Sequence, residues 1–262
     1  MTSGRLGPEV AGLLAPNPGP MTLTGTNTWV VGDPAETAPV VVDPGPLDPG
    51  HLDAVLAAAG GRVAAVLVTH RHLDHTEAAA ALAGRAGCGV RAADPAWRVG
   101  PAGLAGGDRI ELGSARLEVV PTPGHTSDSV SLLLTGPGGV RLLTGDTVLG
   151  TGTTVFTRPD GDLGAYLASL DRLLEVVAEH GVTSLLPGHG PVVDDPVAVL
   201  EHYREHRRQR LDQVRAARAA GATTPEQVVA RVYPEVLGTA VQGAAEQSVR
   251  AQLDHLRALG EG

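Results

Sequence analysis

One stretch constrains this chain more than any other: "VAAVLVT", from Val63 to Thr69, followed at once by "HRHLDHTEAAAALAGRAG". The first part is an apolar run of strand length, suited to a strand buried on both faces. The Ala-rich part has helical character and is closed by Gly87. A buried strand feeding a helix is the unit of an α/β layered fold. At the junction stand His70, His72, Asp74 and His75, three of the chain's ten histidines beside a carboxylate. Residues two apart in extended backbone project to the same side, so His70 and His72 can share one metal ion, leaving Asp74 and His75 for a second. Imidazole and carboxylate suit Zn²⁺. The single cysteine, Cys88, excludes a Cys-rich metal site and an intramolecular disulfide.

The same grammar runs through residues 1–199. "MTLTGTNTWVVG" and "PVVVDPGP" read as strands. "LDPGHLDAVLAAAGG" reads as a helix with Asp48 and Pro49 at its start and a double Gly at its stop. "DRIELGSARLEVVPTPG" alternates around a Gly-Ser turn, and "SVSLLLTGPGGVRLLTGD" reads as a hairpin around Gly-Pro-Gly-Gly. "LGAYLASLDRLLEVVAEHG" is an amphipathic helix, and "VTSLLPGHGPVV" a short strand ending in a loop. Near residue 200 the texture changes to helices only. "TTPEQVVARVY" has Thr224 as cap and Pro225 in the first turn, and Val249, Leu253, Leu256 and Leu259 recur at helical spacing. These features predict a domain over residues 1–199 and a small helical domain over 200–262.

Aromatics make up only 2% of the 262 residues, so the core must be built from Val, Leu and Ala. Every basic residue is Arg and the net charge is −9, which argues against broad electrostatic capture of nucleic acid. The N-terminal "MTSGRLGPEVAGLLAPNPGP" resembles neither a secretory signal nor a transit peptide, and no apolar stretch approaches membrane-span length. A cytoplasmic protein with no membrane partner is expected.

His125 in "VVPTPGHTSDS", Asp146 in "RLLTGDTVLG" and His189 in "SLLPGHGPV" also sit at the ends of strand-like runs, each next to a glycine. Together with the first cluster they supply seven nitrogen and oxygen ligands, enough for two metal sites. In this order, after Asp43 in "VVVDPG", they resemble the metallo-β-lactamase superfamily over roughly residues 20–195. The resemblance implies an αββα sandwich. It implies His70, His72 and His125 on one zinc, Asp74, His75 and His189 on another, Asp146 bridging, and Asp43 as a support beneath the histidine loop. It further implies hydrolysis by a hydroxide that bridges two Zn²⁺, with Mn²⁺ as an alternative metal and Asp74 orienting the nucleophile. His72, where the redox di-iron branch has a carboxylate, argues for zinc.

Flanking segments, "NPGPMTLTGTNTWVVG" and "TGDTVLGTGTTVF" among them, resemble the β-lactamase-like protein 2 branch, which includes an endoribonuclease on single-stranded RNA and polyketide-type thioesterases. Members carry a winged-helix-like C-terminal domain, which "HYREHRRQR" onward resembles. The chain stops soon after its last helical segment, where a wing hairpin would follow, so a DNA-gripping wing is not expected. Ser129 stands where many relatives have histidine. Arg204, Arg207, Arg208 and Arg210 can be read as a phosphate track or as a solvated helix face. Few aromatics are available for base stacking. The expected function is therefore dinuclear zinc hydrolysis of a thioester or related activated acyl compound. The alternatives are single-stranded RNA cleavage and a non-catalytic metal-binding scaffold whose C-terminal helices recruit a partner.

Overall fold

The computed structural model describes residues 4–156 and 159–261. Two mixed sheets pack face to face between two helical layers. The first sheet holds β1 (Gly4–Gly7), β2 (Val10–Leu14), β3 (Asn27–Val31), β4 (Val40–Val42), β5 (Ala65–Val68) and β6 (Gly89–Ala92), in that order. It is antiparallel as far as β4 and parallel from β4 to β6. The second sheet holds β7 (Arg109–Leu112), β8 (Ala115–Pro121), β9 (Val130–Gly136), β10 (Gly139–Gly145) and β11 (Ser184–Pro187), in the order β11-β10-β9-β8-β7.

Side-chain alternation builds the layers. Along β9, Leu132 and Leu134 face the other sheet, meeting Val42, Leu67, Leu117 and Leu143, while Leu133 points outward to the helices. Along β5, Leu67 faces inward, and Val66 and Val68 meet the helices α1 (Pro49–Ala58) and α3 (Ala79–Ala86). The alanines of α3 let it lie close on this face, which offsets the shortage of large side chains. Asp48 caps α1 by accepting from His51 N at 2.7 Å, as its Asp-Pro start predicts. Both strands of the first antiparallel pair, β1 and β2, fall in the segment whose apolar run is broken by Gly and Pro.

The outer layer of the second sheet is α4 (Leu163–His180) together with α5 (Pro196–Ala219), α6 (Pro225–Val232) and α7 (Gln242–Ala258). Thr224 caps α6 as expected. The boundary expected at 199/200 falls inside α5. One apolar cluster runs from Leu133 and Leu142 of the sheet through Leu170 and Leu173 of α4 to Tyr203, Val214, Val249 and Leu256. The C-terminal helices therefore extend the core of the preceding residues. No strand follows α5 among the described residues, and none of their helices is long and apolar enough to cross a membrane.

Candidate metal centre

Five strands deliver the predicted site residues to one edge. Asp43, His70, Asp146 and His189 follow β4, β5, β10 and β11, and His125 lies just past β8. β4 and β5 are parallel, as are β10 and β11, and β8 runs with β10 because both are antiparallel to β9. Their C-terminal ends thus converge. Hydrogen bonds between the sheets close the gap beneath them: Asn27 N donates to Gly188 O (2.7 Å), and Asn27 Nδ2 donates to Pro187 O and Gly190 O (2.9 and 2.8 Å). Val130 N donates to Thr69 O at 2.9 Å.

The seven side chains form two touching groups. His72 Nδ1 lies 3.1 Å from His70 Nε2 and 3.0 Å from His125 Nε2. His75 Nε2 and His189 Nε2 are 3.2 Å apart, with Asp74 Oδ2 at 3.1 Å from His189 Nε2 and 3.5 Å from His75 Nε2. Asp146 stands between the groups: Oδ1 is 3.4 Å from His75 Nε2, and Oδ2 is 3.4 Å from His189 Nε2 and 3.8 Å from His125 Nε2. His70 completes a third triad with His75 and Asp146. Arg71, between two of the histidines, turns the other way and pairs with Asp128 (3.1 Å) and Asp94 (3.4 Å), tying the His70–His75 loop to the turn after His125.

The outward nitrogens fix the tautomers, here assigned from their partners. His125 Nδ1 donates to Val155 O (2.9 Å), His189 Nδ1 to Gly25 O (3.1 Å) and His75 Nδ1 to Asp43 Oδ2 (2.9 Å). Thr69 Oγ1 donates to Asp43 Oδ2 (2.7 Å), so it accepts from His70 Nδ1 at 3.0 Å. In their neutral forms these four rings turn lone pairs inward, toward one another and toward carboxylates, and either protons on His75 and His189 or bound metal ions satisfy such a set. Asp146 Oδ1 is buried with no hydrogen-bond partner. The donor set therefore fits metal bound by nitrogen and oxygen, with outward partners orienting the ligands.

Asp43 shows what the first sheet contributes. It is 1% exposed and holds φ 50°, a left-handed conformation that Asp tolerates better than most residues. Its Oδ1 accepts from Thr69 N at 2.8 Å, while Oδ2 takes Thr69 Oγ1 and His75 Nδ1. Ser129 pins the His125 turn, its Oγ lying 2.7 Å from Thr126 Oγ1 and accepting from Thr126 N at 3.2 Å.

Charge divides the centre. Burial, then His75, holds His70 well below the ordinary histidine range, and burial pushes His125 down to about 4. Burial opposes charge on His189 too, but Asp146 and Asp74 outweigh it and raise the group to about 9. His75 is likewise raised well above its ordinary value, burial again being outweighed by Asp146, Asp43 and Asp74. Both carboxylates of the set are held ionised: burial favours the neutral form, but His75 and His189 draw Asp74 and Asp146 down.

Chelator-treated protein should therefore be most stable near about pH 6.5. His189 has a folded pKa above the unfolded value of about 6.5, so its contribution is full below pH 6.5 and is lost as pH rises through about 9. His125 has a folded pKa below that value, so stability falls as pH drops from about 6.5 through about 4. Melts of the metal-free protein across pH 4–9 check this. A flat profile contradicts it.

Sequence reasoning did not single out the brace behind the centre. Tyr203 OH accepts from Leu149 N (2.9 Å) and donates to Leu149 O (3.2 Å), and Tyr166 OH donates to Thr147 O (2.7 Å). Arg207 Nη2 donates to Thr154 O, and Thr154 Oγ1 lies 3.0 Å from His125 Nδ1. The segment after Asp146 is thus held from α4 and α5. The four arginines of the possible track lie in different settings. Arg207 is 3% exposed and lies inside, drawn in by the Thr154 carbonyl and the rings of Phe156 and Tyr166. Arg204 pairs with Asp171, and Arg210 turns to Val232 O and Tyr233. Arg208 alone of the four is exposed with no partner among the described residues.

Residues 21–189 match the family model described as "Metallo-beta-lactamase superfamily". The chain is 31% identical to a beta-lactamase-like protein 2 homolog of Drosophila melanogaster, over 80% of this chain and 74% of the relative. It is 30% identical to an atrochrysone carboxyl ACP thioesterase of Aspergillus chevalieri, over 94% and 78%. A metallo-beta-lactamase family protein from Thermus thermophilus superposes with a TM-score of 0.80 at 22% identity, covering 98% of this chain and 95% of that one.

Proposed function

Since the chain belongs to the metallo-beta-lactamase superfamily, we propose that it is a dinuclear zinc hydrolase acting on a thioester or related activated acyl compound. The observation that carries this reading is the pair of nitrogen–oxygen ligand groups with Asp146 between them. The predominance of imidazole in the ligand groups, with four rings oriented by outward hydrogen bonds, favours Zn²⁺ over Mn²⁺. Zinc bound there supplies Lewis acidity and lowers the pKa of water.

The residues divide the remaining work. Asp74 is ionised, and its side chain is 29% exposed where His70, His75, His125 and His189 are buried, so it faces the direction from which substrate arrives. There it can orient a water and hold its proton. Leu73 beside it is 63% exposed and adds an apolar surface next to Asp74. Asp43 and Thr69 keep the histidine loop from turning during the reaction.

The acyl choice draws on the thioesterase-named relative and on the fate of the arginines. An RNA track needs several exposed cations in a row, and of Arg204, Arg207, Arg208 and Arg210 only Arg208 is exposed without a partner among the described residues. A scaffold without catalysis leaves an intact ligand set unexplained. Incubating zinc-loaded protein with an acyl-thioester panel and with labelled single-stranded RNA tests the choice. Thioester turnover without RNA cleavage is expected. RNA cleavage with no thioester turnover overturns it.

A further inference from the structure

Behind the brace lies a cavity of about 200 Å³. One wall is Thr153–Val155, the segment whose Thr154 and Val155 meet His125 Nδ1. The facing wall is α5 with His206, Arg207 and Arg210, and Ala244, Ala245 and Ser248 of α7 close it.

Beside the hydroxyls of Thr153, Thr154, Tyr233 and Ser248, its polar side carries two unmatched nitrogen donors. Arg207 Nε is buried and has no partner among the described residues. His206 Nε2 accepts from Arg210 Nε at 3.4 Å, which leaves the ring proton on Nδ1, and that nitrogen is also buried without a partner. Burial, then Arg207 and Arg210, push His206 down to about 4, so the ring is a neutral donor. Among the described residues, no acidic one lines the cavity. Elsewhere on the C-terminal helices, Arg204, Arg215, Arg250 and Arg257 each pair with a carboxylate. Arg207 and Arg210 instead face rings, 4.8 Å from the Phe156 centroid and 4.6 Å from that of Tyr233. Their other contacts are the carbonyls of Thr154 and Val232, Gln213 and His206, none of them a carboxylate, so the charge stays uncompensated and Arg207 Nε unmatched.

We propose that this cavity binds a small carboxylate bearing a short apolar chain. A carboxylate offers two acceptor oxygens to the guanidiniums and the His206 N–H. Val155, Val236, Ala244 and Ala245 supply an apolar wall that a bare inorganic anion would leave unused. At about 30 Å³ per water, the volume suits an acid of roughly four to six carbons. The ligand's seat shares Thr154 with the metal centre, so the acid is either the distal end of the substrate or a separate small molecule.

The test is calorimetric titration of the full chain with sodium hexanoate, 1-hexanol and inorganic phosphate. Hexanoate should bind one to one, and the alcohol at least about tenfold more weakly. Arg210→Gln and Ala244→Leu, neither of them at the metal centre, should each weaken hexanoate at least about tenfold while the far-ultraviolet circular dichroism is kept. Equal binding of hexanol, tighter binding of phosphate, or unchanged hexanoate binding by Arg210→Gln overturns the proposal. Competitive inhibition of a dicarboxylic half-thioester by hexanoate marks the substrate's own end, and non-competitive inhibition marks a separate acid. Either pattern supports the site where Arg210→Gln weakens the inhibition, and inhibition that Arg210→Gln leaves unchanged lies at the metal centre and overturns it. Binding is read without turnover, so failure of thioester hydrolysis leaves this outcome standing.

Discussion

Asp74→Ala is expected to give a folded protein that turns over its substrate at least about a hundredfold more slowly. The carboxylate is 3.1 Å from His189 Nε2 and 3.5 Å from His75 Nε2, so its removal takes away a metal ligand. It also takes away the one ionised group of that triad with substantial exposure, 29%, and with it the proton acceptor nearest the opening. The fold should survive because no apolar cluster includes the side chain. Steady-state rates on any substrate of the parent, with circular dichroism alongside, measure the effect. Parental turnover by the variant contradicts the role.

Gly188→Ala should do comparable harm without touching a ligand. A Cβ at this position would stand 2.5 Å from Asp146 Oδ1 and 2.7 Å from His75 Cε1. His75 cannot retreat, being fully buried and bound to Asp43, and Gly188 itself is held by Asn27 N and Gly145 O. The expected result is loss of at least one metal equivalent and about 1–3 kcal/mol of stability, seen as a lower Tm. Full metal content with an unchanged Tm would show that the backbone yields there.

Much of this centre is legible in the sequence because its signals are local. A strand-length apolar run ending in Gly-His or Gly-Asp specifies a rigid carrier and a side chain at its tip. The period-2 alternation of Leu132, Leu133 and Leu134 is written in adjacent residues. Helix starts at Asp48 and Thr224 are short-range hydrogen bonds. Long-range features are not written this way. Asp43 in "DPG" reads by itself as an ordinary turn; the resemblance alone suggests a support there, and the contacts with Thr69 and His75 lie 26 and 32 residues away in sequence. Arg207 has arginine neighbours of identical type, and its partners Thr154 and Phe156 lie about fifty residues earlier. The β1–β2 hairpin carries no long apolar run because it sits at the sheet edge, with β1 largely exposed. The change to all-helical texture near residue 200 resembles a domain boundary, yet the apolar faces of α5 and α7 close on α4 in a single cluster.

Metal analysis of protein purified without chelator and supplemented with zinc tests the central claim most directly. Two touching groups of ligands with Asp146 between them predict about two equivalents of zinc per chain. One equivalent or none would contradict the dinuclear centre.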